Sequence, residues 1–242
     1  MMKNKIGVFD SGIGGLSILN ELKNLLPNED YLYYADSKNC PYGEKTDEEL
    51  FFLTSRIVNY LKSEGCKLIV IACNTATTRC MKRLQEEFKD LLFVGCVPAI
   101  KLACDYNFKN TLVMATPATI ESERCQQLIA ENKRDDQNIY LVPCFGLADA
   151  IERDDMSEVK NILKNIFFEY QNKNIDSIVL GCTHYPFIKK EILEVMPGVT
   201  LLDGSVGVAK QVRRQLDVNG LLSKSDTVGD VKIINSKDSN VF

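Results

Sequence analysis

The chain has 242 residues, 26% of them charged, and a formal net charge of -4, with no run rich in lysine or arginine. That balance lacks the electrostatic footprint of a nucleic-acid binder, and no apolar run approaches the ~20 residues of a membrane helix. Nine cysteines are scattered without a Cys-x-x-Cys pair and with one histidine, which argues against zinc and against a disulfide framework. Most of these thiols read as small buried hydrophobes of a protein in a reducing cytoplasm. Met1-Met2-Lys3-Asn4-Lys5 leads into a strand with no signal-peptide pattern.

Lys5 to Phe9 reads as a short buried strand, followed by the turn Asp10-Ser11-Gly12-Ile13-Gly14-Gly15 and a helix from Leu16 to Leu26, stopped by Pro27. Tyr31 to Ala35 is a second strand, and the loop from Asp36 to Lys45 carries Cys40-Pro41-Tyr42-Gly43. Thr46 caps a helix to Ser63. Lys67 to Ala72 is a strand ending at Cys73; a helix covers Ala76 to Lys89, and Leu92 to Val94 is a fourth strand. The second half repeats the order. Thr111 to Met114 is a strand, then come Ala115-Thr116-Pro117-Ala118-Thr119 and a helix to Asn132. Ile139 to Val142 is a strand, Pro143 to Glu152 a loop, and Met156 to Asn172 a helix. Asp176 to Leu180 leads to Cys182, and Val199 to Leu202 is the last strand. The two halves match at an offset of roughly 105 to 110 positions, the mark of a duplicated βα unit. Alternating strands and helices imply parallel sheets with helices outside. The expected division is 1–97 with 206–242, and 98–205. The helix Val206 to Leu216 crosses back to the first part, and the polar tail from Ser236 reads as frayed.

Two stretches carry the chemistry. Leu68 to Thr77 and Ile178 to Pro186 share one design: an apolar strand, a small residue, a cysteine, then hydrogen-bonding residues. In parallel sheets ligands bind beyond the carboxyl ends of strands. Either cysteine alone would read as a packed thiol; the pair points to two acid/base thiols, each needing neighbours that move protons. His184, two residues past Cys182, suits proton relay. Asp10 alone reads as a helix cap as readily as a site residue, and Glu152 alone as a solvated charge at a helix end. The Gly12-x-Gly14-Gly15 turn departs from the dinucleotide fingerprint, since Ser17 stands where a third glycine belongs. It reads as a turn that brings N–H groups to a small anion, or as one that needs positive φ.

Five pieces together resemble the glutamate racemase family, within the aspartate/glutamate racemases. They are Phe9-Asp10-Ser11-Gly12-Ile13-Gly14-Gly15-Leu16, Pro41-Tyr42-Gly43, Ala72-Cys73-Asn74-Thr75-Ala76, Ala115-Thr116-Pro117-Ala118-Thr119 and Gly181-Cys182-Thr183-His184-Tyr185-Pro186. The resemblance implies two similar, pseudo-symmetric α/β domains with the site in the cleft between them. It implies interconversion of L- and D-glutamate for peptidoglycan, no cofactor, no metal and a cytoplasmic homodimer. Carried over, Cys73 and Cys182 are the acid/base thiols, Asp10 attends Cys73, and Glu152 and His184 support Cys182. Asp10, Ser11, Asn74, Thr75, Thr183 and His184 hold the amino-acid head. Pro41, Tyr42, Gly43, Thr116 and Thr119 place the carboxylates. Asn39-Cys40 and Cys144-Phe145-Gly146-Leu147 depart from the family pattern. Other readings are an aspartate racemase or decarboxylase of the same group, a non-catalytic amino-acid binder on the same scaffold, and a thiol redox protein.

Overall fold

The structure is a computed structural model, and it describes residues 5–238. The readings of residues 1–4 and of the tail beyond Asp238 lie outside the described residues. The first elements are β1 (Lys5–Asp10), α1 (Leu16–Leu25), β2 (Asp30–Ala35), α2 (Asp47–Ser63), β3 (Cys66–Ile71), α3 (Asn74–Glu87) and β4 (Leu92–Gly95). There follow α4 (Ile100–Asp105), β5 (Asn110–Ala115), α5 (Pro117–Ile120), α6 (Glu123–Asn132), β6 (Asn138–Pro143), α7 (Leu147–Glu152), α8 (Met156–Phe168), β7 (Ser177–Leu180), α9 (Lys189–Val195) and β8 (Thr200–Leu202). The last described elements are α10 (Ser205–Val218) and β9 (Val231–Asn235).

These elements form two compact units, one made of the chain up to Cys96 and from Ser205 onward, the other of Val97–Gly204. The first holds a sheet in the order β4-β3-β1-β2-β9, the second a sheet in the order β8-β7-β5-β6. Every strand pair is parallel. The second sheet repeats the first strand for strand, apart from β9.

In the first unit the pleat sends alternate residues to opposite faces. Phe9, Leu32, Tyr34, Ile69 and Ile71 pack with Leu50, Ile57 and Leu61 of α2 and Ala76, Cys80 and Leu84 of α3. Ile6, Val8, Tyr31, Tyr33, Leu68 and Val70 pack with Ile18, Leu19 and Leu22 of α1 and Val208, Val212 and Leu216 of α10. In the second unit Leu112, Met114, Ile178 and Leu180 meet Leu147, Ile151, Leu163 and Phe167 on one face. On the other face Val113, Ala115 and Val179 meet Ile100, Cys104, Cys125 and Leu128. Strands covered on both faces read as continuous apolar runs, which is why the sequence shows them clearly.

Several boundaries differ from the sequence reading. The helix expected to run to Asn132 is broken into α5 and α6, because the Ser122 hydroxyl donates to Thr119 O at 2.7 Å and accepts from Cys125 N–H at 3.2 Å. Ser122 thus ends one turn and caps the next helix. Helix α3 begins at Asn74, two residues before the expected start, since extended Cys73 is its N-cap. Helix α8 stops at Phe168, four residues before Asn172. The loop to Glu152 contains α7, and α9 follows the turn at Tyr185–Ile188. The polar C-terminal segment forms β9, an edge strand that buries mainly Ile234 and so carries little apolar signal. Ser236 is tied down rather than frayed: its N–H donates to Ala35 O at 2.9 Å.

Candidate active site

In the first unit the candidate residues follow the carboxyl ends of β1, β2 and β3. Asp10, wholly buried, ends β1 and turns its carboxylate back into its own loop, where Oδ2 accepts the Gly15 N–H at 2.7 Å. The anion at the start of α1 is therefore this carboxylate, favoured there by the N–H groups of the helix end. The positive-φ glycines among the described residues are Gly65, Gly146, Gly198 and Gly220, so the turn does not rest on left-handed backbone. What Gly15 supplies is room: a Cβ there would meet the Tyr33 hydroxyl at 2.8 Å and the Cβ atoms of Ala72 and Asp10 at 2.9 Å. Tyr33 braces the same turn by donating to Gly12 O at 2.7 Å.

Cys73 is buried, and its sulfur lies 3.8 Å from the Ser11 hydroxyl. The strand end that carries it is pinned by Thr77, whose hydroxyl donates to Ile71 O at 3.1 Å and accepts the Cys96 N–H at 3.2 Å. Asn74 and Thr75 form the first turn of α3 and are buried. The Asn74 Oδ1 is enclosed yet meets no donor among the described residues. A buried polar atom left without a partner is costly.

The Pro41-Tyr42-Gly43 segment follows a cis Cys40–Pro41 bond and forms a turn of 3₁₀ helix at Tyr42–Glu44. The Tyr42 hydroxyl donates to Asp36 Oδ2 at 2.7 Å. Burial first, and then the Asp36 charge, hold the Tyr42 phenol well above its usual range. Asp36 also accepts from Asn39 Nδ2 at 2.9 and 3.1 Å. Burial raises the Asp36 carboxyl, and the hydrogen bonds from Tyr42, Asn39 and Ser236 oppose that rise. Sequence reading missed Asp36, although it directly follows β2 as Asp10 ends β1, a signal of position at one sheet edge. Asn39 finds its role here too, as a clamp on Asp36.

In the second unit Cys182, Thr183 and His184 follow β7, and all three are buried. Gly181 allows β7 to pass close to β5: a Cβ would stand 2.7 Å from Met114 O. His184 Nδ1 is 3.7 Å from the Cys182 sulfur, and Nε2 is 2.7 Å from Oε2 of Glu152. Glu152 closes α7 with its side chain only 5% exposed, so it is no solvated charge. With Glu152 ionised, Nε2 must donate to it, which leaves Nδ1 to exchange a proton with the Cys182 thiol. Thr116 and Thr119 meet through their hydroxyls at 3.0 Å at the start of α5.

The remaining cysteines differ in their surroundings. Burial pushes the thiols of Cys66 and Cys144 up to about 12 and that of Cys80 to about 11, so none forms a thiolate near neutral pH. Cys144, the unusual residue before α7, is a packed thiol whose N–H donates to Ala115 O at 2.8 Å. Among the described residues no group of three or more His, Cys, Asp or Glu stands together as a metal would require.

The model of the Asp/Glu/Hydantoin racemase family matches residues 6–212. The glutamate racemase of Clostridium botulinum (strain Alaska E43) is 42% identical over 98% of this chain and 93% of its own. Among solved structures, the Francisella tularensis glutamate racemase in complex with D-glutamate has a TM-score of 0.81 at 32% identity, covering 97% of this chain and 88% of that one. The Escherichia coli glutamate racemase, in complex with L-glutamate and the activator UDP-MurNAc-Ala, has a TM-score of 0.82 at 30% identity, covering 95% and 89%. A match that runs through both sheets and every cysteine-bearing strand end shows that this chain is an isomerase of the Asp/Glu/Hydantoin racemase family and belongs to its glutamate racemases.

Proposed function

We propose that this protein interconverts L- and D-glutamate by a two-base mechanism, with Cys73 and Cys182 on opposite faces of Cα and no cofactor. One observation carries the reading. The two thiols follow topologically equivalent strands, β3 and β7, in sheets of the same order, and each has a polar side chain within 4 Å, the Ser11 hydroxyl and the His184 imidazole. The complexes of the two relatives with D- and L-glutamate support glutamate as the substrate.

In one direction a Cys182 thiolate takes the Cα proton of L-glutamate while the Cys73 thiol delivers a proton to the other face; in reverse the roles exchange. His184, oriented by Glu152, takes up and returns the Cys182 proton. Asp10 attends Cys73, whose thiol meets the Ser11 hydroxyl. Asn74, Thr75 and Thr183 hold the amino-acid head, and the enclosed Asn74 Oδ1 fits a substrate ammonium. The Tyr42–Glu44 turn and the Thr116–Thr119 pair receive the carboxylates, Tyr42 through its backbone. Fixed donors around a planar carbanion stabilise the charge that develops there. D-glutamate made this way enters peptidoglycan precursors.

The test is circular dichroism of L-glutamate incubated with purified enzyme, with nothing added. The signal should decay to zero, as should that of D-glutamate with opposite sign. A constant signal, or decay of aspartate instead, overturns the reading.

A further inference from the structure

The last described residues do more than finish a sheet. Strand β9 pairs with β2 up to Ala35↔Asn235, which brings the residue after it level with the loop beyond β2. The Ser236 N–H donates to Ala35 O at 2.9 Å, and the Ser236 hydroxyl oxygen accepts the Lys38 N–H at 2.8 Å. The same turn is closed by the Asn39 N–H, which donates to Asp36 O at 2.9 Å. Asn235 Nδ2 adds a bond to the Ser37 hydroxyl at 3.3 Å. Asp36 in turn accepts the Tyr42 hydroxyl, and the Tyr42 ring packs in the cluster that contains Phe9, Tyr34 and Cys73.

We infer that Ser236 is a positioning residue of the racemase site: it fixes the turn that runs from Asp36 to Asn39, and through that turn holds Tyr42 and the Tyr42–Glu44 turn in place. This rests on the reading above that the turn meets a substrate carboxylate. A buried carboxylate needs several donors, and each donor that reaches Asp36 also fixes where its oxygens point. Tyr42 is thus held at both ends, its ring by the core and its hydroxyl by a carboxylate that Asn39, in the turn Ser236 fixes, orients.

Strand β9 is delivered in fixed register. The segment between α10 and β9 is clamped by a buried ion pair in which Lys67 Nζ meets Glu29 and also donates to Leu221 O at 2.7 Å. Glu29 Oε1 accepts the Ser223 N–H at 2.7 Å, and the Gly229 N–H donates to Pro27 O at 2.9 Å. Ser236 therefore reaches the Asp36–Asn39 turn from a strap anchored at the opposite end of the sheet.

The test compares steady-state kinetics of Ser236→Ala, Ser236→Thr, Tyr42→Phe, the Ser236→Ala/Tyr42→Phe double variant and Gly43→Ala, each in the full chain. Ser236→Ala should raise KM about 3- to 10-fold for both enantiomers, the worth of one hydrogen bond, with kcat little changed. Ser236→Thr, which keeps the hydroxyl, should restore KM. The double variant should lose no more than the worse single one, because both changes cut one chain of contacts. A Cβ on Gly43 meets nothing within 4 Å, so Gly43→Ala leaves the fold intact and reports on the turn alone. If Gly43→Ala raises KM and Ser236→Ala does not, the inference is wrong and the turn reading stands. An unchanged KM in Gly43→Ala removes the turn from the site, and the inference with it. A lower melting temperature in Ser236→Ala at constant KM would make Ser236 merely structural. Should Ser236→Ala fail to fold, Tyr42→Phe gives the same readout, and an unchanged KM there overturns the inference.

Discussion

Cys73 and Cys182 differ in what stands beside them. Cys73 has a hydroxyl at 3.8 Å, and Cys182 has an imidazole at 3.7 Å that a buried carboxylate orients. In Cys73→Ala, inversion of either enantiomer should stop, since one face of Cα loses its base and acid. Slow exchange of the L-glutamate Cα proton with deuterated water should survive through Cys182, and NMR of the recovered amino acid reads it. Near-normal racemisation by this variant would make Cys73 structural. His184→Asn should slow proton removal from L-glutamate more than from D-glutamate. The enantiomers have equal free energy, so kcat/KM must stay equal in both directions. The asymmetry therefore shows in kcat and KM taken separately, or in the primary isotope effect at Cα. Isotope effects that respond equally in both directions would remove His184 from the Cys182 side. Glu152→Gln should have a weaker form of the same effect, because it leaves an acceptor near Nε2 but removes the charge that fixes the tautomer.

At the scale of elements, the sequence shows what local chemistry controls. Thr46 and Glu49 complete a capping box at the start of α2, and that helix begins and ends where its cap and pattern place it. Helix α10 is legible from its apolar spacing, but what it packs on is a tertiary matter. It lies 109 residues after the chain leaves the first unit, from Cys96 to Ser205 by number, and its Leu216 is fully buried with Leu22 and Val212. Leu216→Ala should then destabilise the first unit by about 2–5 kcal/mol. Denaturant unfolding followed at that unit would show it, and a shift below ~1 kcal/mol would mean that the helix is only loosely docked. Strand β9 escaped the sequence reading because an edge strand with one buried side chain has no apolar run.

For the whole molecule, the repeat is visible in sheet order more than in sequence, since β4-β3-β1-β2 and β8-β7-β5-β6 place equivalent strands in the same order. Both units share a vulnerability to alkali. Cys66 in the first and Cys144 in the second are held up to about 12 by burial, from an ordinary 9.0. A thiol raised on folding contributes stability that is complete below the unfolded value and is lost as pH climbs to the folded one. Melting temperature should be flat with respect to these thiols up to pH 9 and fall between pH 9 and 12, with Cys66→Ala and Cys144→Ala flattening the fall. A decline of the same size in both variants would assign it to other groups. No helix of the described residues is long and apolar enough to cross a membrane.

Composition and pattern by themselves determined the α/β class, the parallel strands and the two cysteines at strand ends. Those signals are local: apolar runs, caps, and a small residue followed by a reactive one. The tertiary structure decided which partners those residues meet. It turned Asp10 onto Gly15, gave the Tyr42 hydroxyl to Asp36, seated Glu152 on His184 and brought Ser236 beside a loop nearly 200 positions earlier, at |i−j| of 198 for its bond to Lys38. Hydrogen bonds between distant residues leave no periodicity in a chain, because they depend on which strand lies beside which. Sheet order supplies that information, and it exists only once the chain has folded.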